Sequence, residues 1–218
     1  MSTNAEFRYR TAIFDLDGTL LYTLPDLRTA VNATMAQYGW SEQSVEEVRR
    51  KVGNGIRRLL IACVPDGEQN PQFAAAFSTF QEEYGRHQFD TTGPYDGIPE
   101  VLAACRARGV KTAIVSNKID FAVKDLNDRF FHMDVAVGDR EGWALKPAPD
   151  STLAAMEKLG ADPATTVYIG DSEVDVLTAR NAGLPCLTAL WGFRDRLELE
   201  AAGATTFVER PEDLLCYF

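Results

Sequence analysis

At 218 residues the chain can bury a sizeable core, as one large domain or two smaller ones. Its net charge of -10 and pI near 4.7 argue against a general nucleic-acid or anionic-membrane binder, because a phosphate surface calls for surplus Lys and Arg. A small anionic ligand, which answers to local charge, stays open. Residues 1–10 are polar and lack the apolar stretch of a signal peptide, and no run reaches the ~18 apolar residues of a membrane span, so the cytoplasm is the expected location.

Taken in chain order, the apolar run Thr11–Phe14 predicts a buried strand that delivers Asp15-Leu16-Asp17-Gly18-Thr19-Leu20. Side chains two apart in extended chain point the same way, so Asp15 and Asp17 are expected to face one site, and Gly18 permits a sharp turn after them. Helical patterns follow over 25–38, 44–51, 55–64 and 71–88, with no convincing strand among them. Gly93-Pro94-Tyr95-Asp96-Gly97 then punctuates the chain.

From residue 110 onward the pattern alternates. Strands are expected over 110–116, 133–137, 165–169, 186–190 and 205–208, and helices over 120–129, 149–159, 173–182 and 195–202. Such alternation with short turns implies a mostly parallel sheet covered on both faces, an α/β fold. Residues 1–21 and 93–218 are assigned to the α/β core, and 22–92 to a helical insertion after the first strand. An insertion at that point overhangs the carboxyl ends of the strands, where open α/β sheets bind ligands. The four cysteines show no metal or redox spacing; Cys63, Cys105 and Cys186 sit in apolar company and are expected to be buried thiols. His87 and His132 lack ligand spacing and read as structural or surface residues.

Three later segments bear on the Asp15/Asp17 pair: Val115-Ser116-Asn117-Lys118 at a strand end, Leu145-Lys146-Pro147-Ala148-Pro149-Asp150, and Val167-Tyr168-Ile169-Gly170-Asp171-Ser172-Glu173-Val174-Asp175. Asp171 and Asp175 are four apart and would stack on one helix face. Two like charges about 4 Å apart repel by roughly 4 kcal/mol at an effective dielectric near 20, so a crowd of carboxylates calls for protonation or a cation. An all-oxygen donor set favours Mg²⁺ over zinc.

In this order and spacing the four segments resemble the signature of the haloacid dehalogenase-like superfamily, in its magnesium-dependent phosphatase branch. The resemblance spans almost the whole chain and implies a Rossmann-like core with a helical cap. It implies Asp15 as the nucleophile that carries an aspartyl-phosphate, and Asp17 as the acid–base group, its main-chain carbonyl also ligating the metal. Ser116 and the backbone N–H groups around Asn117 would bind the transferring phosphoryl group, and Lys146 would neutralise it. Asp171 resembles the outer metal ligand and Asp175 a second acidic support. An aspartate at position 17 points to phosphate esters rather than to dehalogenation, and Leu27 stands in the region where mutase relatives carry a cap histidine.

The stretch Lys51-Val52-Gly53-Asn54-Gly55-Ile56-Arg57 resembles the cap loop of phosphoglycolate phosphatases, as does the later Leu190-Trp191-Gly192-Phe193. Gly53, Asn54 and Gly55 could offer backbone donors to an anion, with Arg57 as a carboxylate partner; the same loop also reads as a plain helix–helix turn. Tyr22-Thr23 departs from the Asp-Ser usual among relatives, on the hinge into the cap. The expected activity is hydrolysis of a small phosphorylated metabolite, 2-phosphoglycolate first. A phosphomutase, a pyrophosphatase and a non-enzymatic phospho-ligand-binding regulator are the alternatives.

Overall fold

The computed structural model describes residues 9–218, so the polar stretch preceding residue 9 lies outside the described residues. The chain divides into two compact units, one of residues 9–20 with 94–218, the other Leu21–Gly93.

The larger unit is built on a six-stranded sheet of order β5-β4-β1-β6-β7-β8. The strands are β1 (Thr11–Phe14), β4 (Lys111–Ile119), β5 (Val135–Asp139), β6 (Thr166–Gly170), β7 (Cys186–Ala189) and β8 (Phe207–Val208). Every pairing is parallel: Phe14 stands opposite Ile114 on one side and Ile169 on the other. This is an α/β Rossmann-like fold. β1 is central, and the order reverses around it, with β4 and β5 on one side and β6 to β8 on the other. Both faces of β1 are covered, which is why Ala12, Ile13 and Phe14 are all fully buried and the strand reads as a continuous apolar run. One core layer joins Ile13, Val115, Val137 and Tyr168 to Ala155, Met156 and Leu159 of α7 (Asp150–Leu159) and Ala179 of α8 (Glu173–Asn181).

The smaller unit is helical: α1 (Leu24–Tyr38), α2 (Val45–Lys51), α3 (Ile56–Cys63) and α4 (Phe73–His87). α1 packs on α4. Leu27, Val31 and Met35 recur at helical spacing on the buried face of α1, as Phe73, Ala76, Phe80 and Tyr84 do on α4. Ser44 and Glu47 form a reciprocal capping box at the start of α2. The two-residue strands β2 (Leu21–Tyr22) and β3 (Gly93–Pro94) pair with each other. Within the unit, the buried Asp26 carboxylate accepts from Thr91 N–H, Thr91 Oγ1 and Thr92 N–H, tying the first turn of α1 to the outgoing chain.

Several elements differ from expectation for identifiable reasons. α5 (Ile98–Ala107) is an element beyond those expected: it starts directly after the Gly93–Gly97 punctuation, carries Pro99 in its first turn, where Pro is at home, and buries Ile98, Val101, Leu102 and Cys105. β4 runs three residues past Ser116 to Ile119. The helix expected over 120–129 stops early as α6 (Asp120–Leu126) and continues as a π-turn, Asn127–Phe131. There the Asn127 carboxamide accepts from Met133 N–H at 2.9 Å and donates to Met133 C=O at 3.2 Å, delaying β5 to Val135. α9 (Arg196–Ala201) is capped by Asp195, and a final 3₁₀ segment, Pro211–Cys216, was not foreseen. Cys63 and Cys105 are buried as expected; Cys186, at the start of a strand near the sheet edge, is only half-buried, and Cys216 is exposed. His87 is a surface residue in contact with Asp90, and His132 adopts a left-handed turn that ends the π-turn.

Candidate active site

Four segments reach the carboxyl ends of neighbouring strands, at the reversal of strand order where open parallel sheets leave a crevice. Asp15 follows β1, Ser116 and Asn117 lie on β4, Lys146 comes after β5, and Asp171 follows β6.

Asp15 still pairs with the sheet through its N–H, which donates to Ile169 C=O at 2.9 Å. Its side chain meets Lys146, with Nζ 2.7 Å from Oδ1. The same ammonium lies 2.8 Å from Asp175 Oδ1 and 3.1 Å from the Tyr168 hydroxyl. Lys146 is held from behind by Asn117, whose carboxamide accepts from Lys146 N–H at 2.7 Å and donates to Lys146 C=O at 3.1 Å. The Asn117 side chain is thereby a clamp on the lysine.

Asp171 lies deeper still. Oδ1 accepts from Thr19 Oγ1 at 2.7 Å, and Oδ2 from Phe193 N–H at 2.8 Å. The backbone closes tightly around this carboxylate. A Cβ added at Gly18, where φ is +90°, would stand 2.4 Å from Asp171 Oδ2, and one at Gly192 would stand 2.3 Å from Asp171 Cβ. Both glycines are needed for the approach, Gly18 for its backbone angle as well. Trp191 Nε1 donates to Thr19 C=O at 3.0 Å and draws the 190–193 loop onto the turn after β1.

Helix stacking does not bring Asp171 and Asp175 together. α8 begins at Glu173, leaving Asp171 outside it, and Asp175 instead folds back over its own N-terminus. Its Oδ2 accepts from Ser172 Oγ at 2.6 Å and Ser172 N–H at 3.1 Å. The result is nonetheless a cluster: ligand oxygens of Asp15, Asp171 and Asp175 all lie within 4.8 Å of one another.

Electrostatics follow from that crowding. Burial, then the Asp175 charge, raises the Asp15 carboxyl well above the usual carboxylate range, although Lys146 opposes the shift. Burial and Asp175 push Asp171 up to about 7. For Lys146 burial works the other way, but the carboxylates of Asp15 and Asp175 outweigh it and hold the ammonium charged well beyond its ordinary range. A hard divalent cation suits what is left. Among the described residues, Asp171 accepts from two neutral donors, a hydroxyl and an amide, and the clustered ligand atoms are all oxygen. Asp175 has both oxygens engaged by Lys146, Tyr168 and Ser172, so of the three it is the one most committed to the protein.

The other expected residues fall as follows. The Asp17 side chain turns to a different lysine, Lys118, whose Nζ lies 3.0 and 3.1 Å from its two oxygens. Ser116 is buried, and its hydroxyl accepts from Lys118 N–H at 3.2 Å. In the helical unit Gly53 and Gly55 have positive φ, and Gly55 caps α3. Arg57 pairs with Glu68 and lies over the rings of Phe73 and Phe77, 5.2 and 5.4 Å from their centroids. The sequence reading overlooked Lys118, Thr19, Tyr168 and Trp191 as parts of the site. Lys118 lies on the same strand as Ser116 only because β4 continues to Ile119, an extension that the local sequence does not signal.

Comparison with known proteins agrees with this geometry. Residues 12–189 match the model of the haloacid dehalogenase-like hydrolase family. A phosphoglycolate phosphatase of Aquifex aeolicus is 30% identical over 94% of this chain and 95% of its own length. One of Caulobacter vibrioides is 35% identical over 94% and 88%. An N-acetylmuramic acid 6-phosphate phosphatase of Pseudomonas aeruginosa is 30% identical over 95% and 94%. Among solved structures, a candidate phosphoglycolate phosphatase from Lactobacillus delbrueckii subsp. bulgaricus superposes with a TM-score of 0.90, at 33% identity over 95% of this chain and 97% of that one. Fold, carboxylate cluster and family match coincide, and the chain belongs to the haloacid dehalogenase-like hydrolases.

Proposed function

We propose that the protein is a Mg²⁺-dependent phosphatase of small carboxylated phosphate monoesters, with 2-phosphoglycolate as first substrate. The observation that carries this reading is the buried contact of Asp15 with Lys146, beside the carboxylates of Asp171 and Asp175. An Asp15 oxygen attacks phosphorus, and the P–O bond to the leaving group breaks as Asp17 gives its proton to the departing oxygen. Asp17 then takes a proton from water as that water attacks phosphorus. The bond from Asp15 to phosphorus breaks, freeing phosphate and the carboxylate.

Lys146 and the Ser116 hydroxyl meet the negative charge of the transferring group, and Asn117 and Asp175 keep Lys146 aimed. When bound, Mg²⁺ would be held by Asp15, the main-chain carbonyl of Asp17 and Asp171, with Asp175 as acidic support, and would supply charge neutralisation at the phosphoryl oxygens. Positioning and neutralisation of this kind must provide most of the acceleration of a reaction that is very slow unaided.

Substrate choice rests on the relatives, whose names share a carboxylic acid bearing a phosphate. We assign the carboxylate to the donors of Gly53, Asn54 and Gly55 and to Arg57. The Arg57–Glu68 pair is half-exposed on both sides, so exchanging Glu68 for a substrate carboxylate costs only about 0–1 kcal/mol.

Phosphate release should be measured over a panel of phosphorylated metabolites, with Mg²⁺ and with chelator, for the wild type and Asp15→Asn. Release that needs Mg²⁺ and disappears in Asp15→Asn is expected. No release from any ester, or release that survives the substitution, overturns the reading.

A further inference from the structure

Lys118 is a buried cation to which the roles above give no work. It lies on β4 two residues beyond Ser116, with its side chain 3% exposed. Burying an ammonium is expensive, and a strand interior ordinarily carries an apolar residue instead. Its Nζ reaches across 101 positions of sequence to sit 3.0 and 3.1 Å from both oxygens of Asp17. Asp17 lies beyond the end of β1, at a single bridge residue just before Gly18, whose positive φ turns the chain away; the backbone there does not by itself set the plane of the carboxylate. Contact with both oxygens does fix it: the plane and direction of the carboxylate are then set by a donor anchored in the central sheet.

We propose that Lys118 is a positioning residue for Asp17, holding its carboxylate where it delivers a proton to the leaving oxygen. This rests on the phosphatase reading of Asp17. In the step concerned, the bond from Asp15 to phosphorus forms, the bond from phosphorus to the leaving oxygen breaks, and the Asp17 proton moves to that oxygen. Lys118 keeps its own protons throughout. An alkyl leaving group needs the delivered proton, whereas an aryl oxide such as p-nitrophenolate departs without it. Misplacing Asp17 therefore discriminates between the two classes, and general loss of structure does not.

The test compares kcat/KM, which reports only steps up to departure of the leaving group, for 2-phosphoglycolate and glycerol 2-phosphate as alkyl esters against p-nitrophenyl phosphate. Lys118→Met should lower the alkyl values about 100-fold and the aryl value less than about 10-fold, since a positioned acid contributes roughly 10²–10⁴. Lys118→Arg, which offers two N–H donors to the same oxygens, should recover most of the loss. In an Asp17→Asn background Lys118→Met should have no further effect on the alkyl esters. If Lys118→Met does not fold, Lys118→Gln, which keeps one donor without the charge, is read by the same ratio.

Equal falls on both ester classes, no fall, or an undiminished effect in the Asp17→Asn background would overturn the inference while the phosphatase reading stands. A wild type inactive on every ester with Mg²⁺ would overturn both.

Discussion

Replacing Asp171 with Asn should stabilise the metal-free protein at neutral pH while abolishing its response to Mg²⁺. The Asp171 carboxyl is raised from about 3.8 to about 7, chiefly by burial and then by the Asp175 charge. A rise of that size disfavours the ionised form in the fold by about 4 kcal/mol. Because the folded value lies above the unfolded one, the penalty is absent below pH 4, grows between pH 4 and 7, and is complete above pH 7. Asn removes the charge and can keep both contacts. Its carbonyl oxygen accepts from Phe193 N–H, and its NH₂ donates to the Thr19 hydroxyl, which rotates to receive it.

Urea unfolding in chelator should therefore show Asp171→Asn more stable than wild type by about 4 kcal/mol at pH 8, with the difference vanishing near pH 4. Adding Mg²⁺ at pH 8 should raise the stability of the wild type only, since binding to the native state adds stability in proportion to ln(1 + [L]/Kd). A variant no more stable than wild type in chelator at pH 8, or one that responds equally to Mg²⁺, would refute the idea that Asp171 is a strained carboxylate awaiting a cation.

Gly18→Ala should abolish phosphate release and lower stability by about 2–4 kcal/mol, because the new methyl would stand 2.4 Å from Asp171 Oδ2 at a backbone φ of +90°; thermal melting and a phosphate assay check both. Asp26→Ala should destabilise the helical unit by about 2–4 kcal/mol, leaving the donors of Thr91 and Thr92 without their acceptor. Amide exchange at Thr91 and Thr92 should quicken in that variant. Burial alone would raise the Asp26 carboxyl, but the Thr91 and Thr92 donors outweigh it and lower it, so this contribution is present above pH 4 and fades as pH falls through the depressed value.

Much of this was legible in the sequence because it depends on local chemistry. Buried parallel strands advertise themselves as unbroken apolar runs, as at Thr11–Phe14 and Thr166–Gly170. Charged or polar residues at the ends of such runs point to the carboxyl edge of the sheet, where Asp15, Ser116 and Asp171 lie. What escaped depended on tertiary partners. Nothing around Lys118 in the sequence says that the strand continues past Ser116, because the continuation depends on pairing with β5, where Ile119 stands opposite Asp139. The early end of α6 depends on one side chain, Asn127, reaching Met133. Asp175 was rightly grouped with Asp171, but for the wrong geometry: a helix face was expected, and a carboxylate folded back on Ser172 is what occurs.

The sheet's strand order bears on how the chain is assembled. β1 lies between β4 and β6, so Thr11 finds its neighbours at Lys111 and Thr166. During synthesis the ribosome therefore releases a sticky hydrophobic segment well before either flanking strand exists. The helices that follow it rely on nearby contacts and can close first, since short-range contacts form faster than distant ones. The segment bearing Asp15 is thus made before either strand that flanks it in the sheet, which makes it a stretch that a chaperone would have reason to shield.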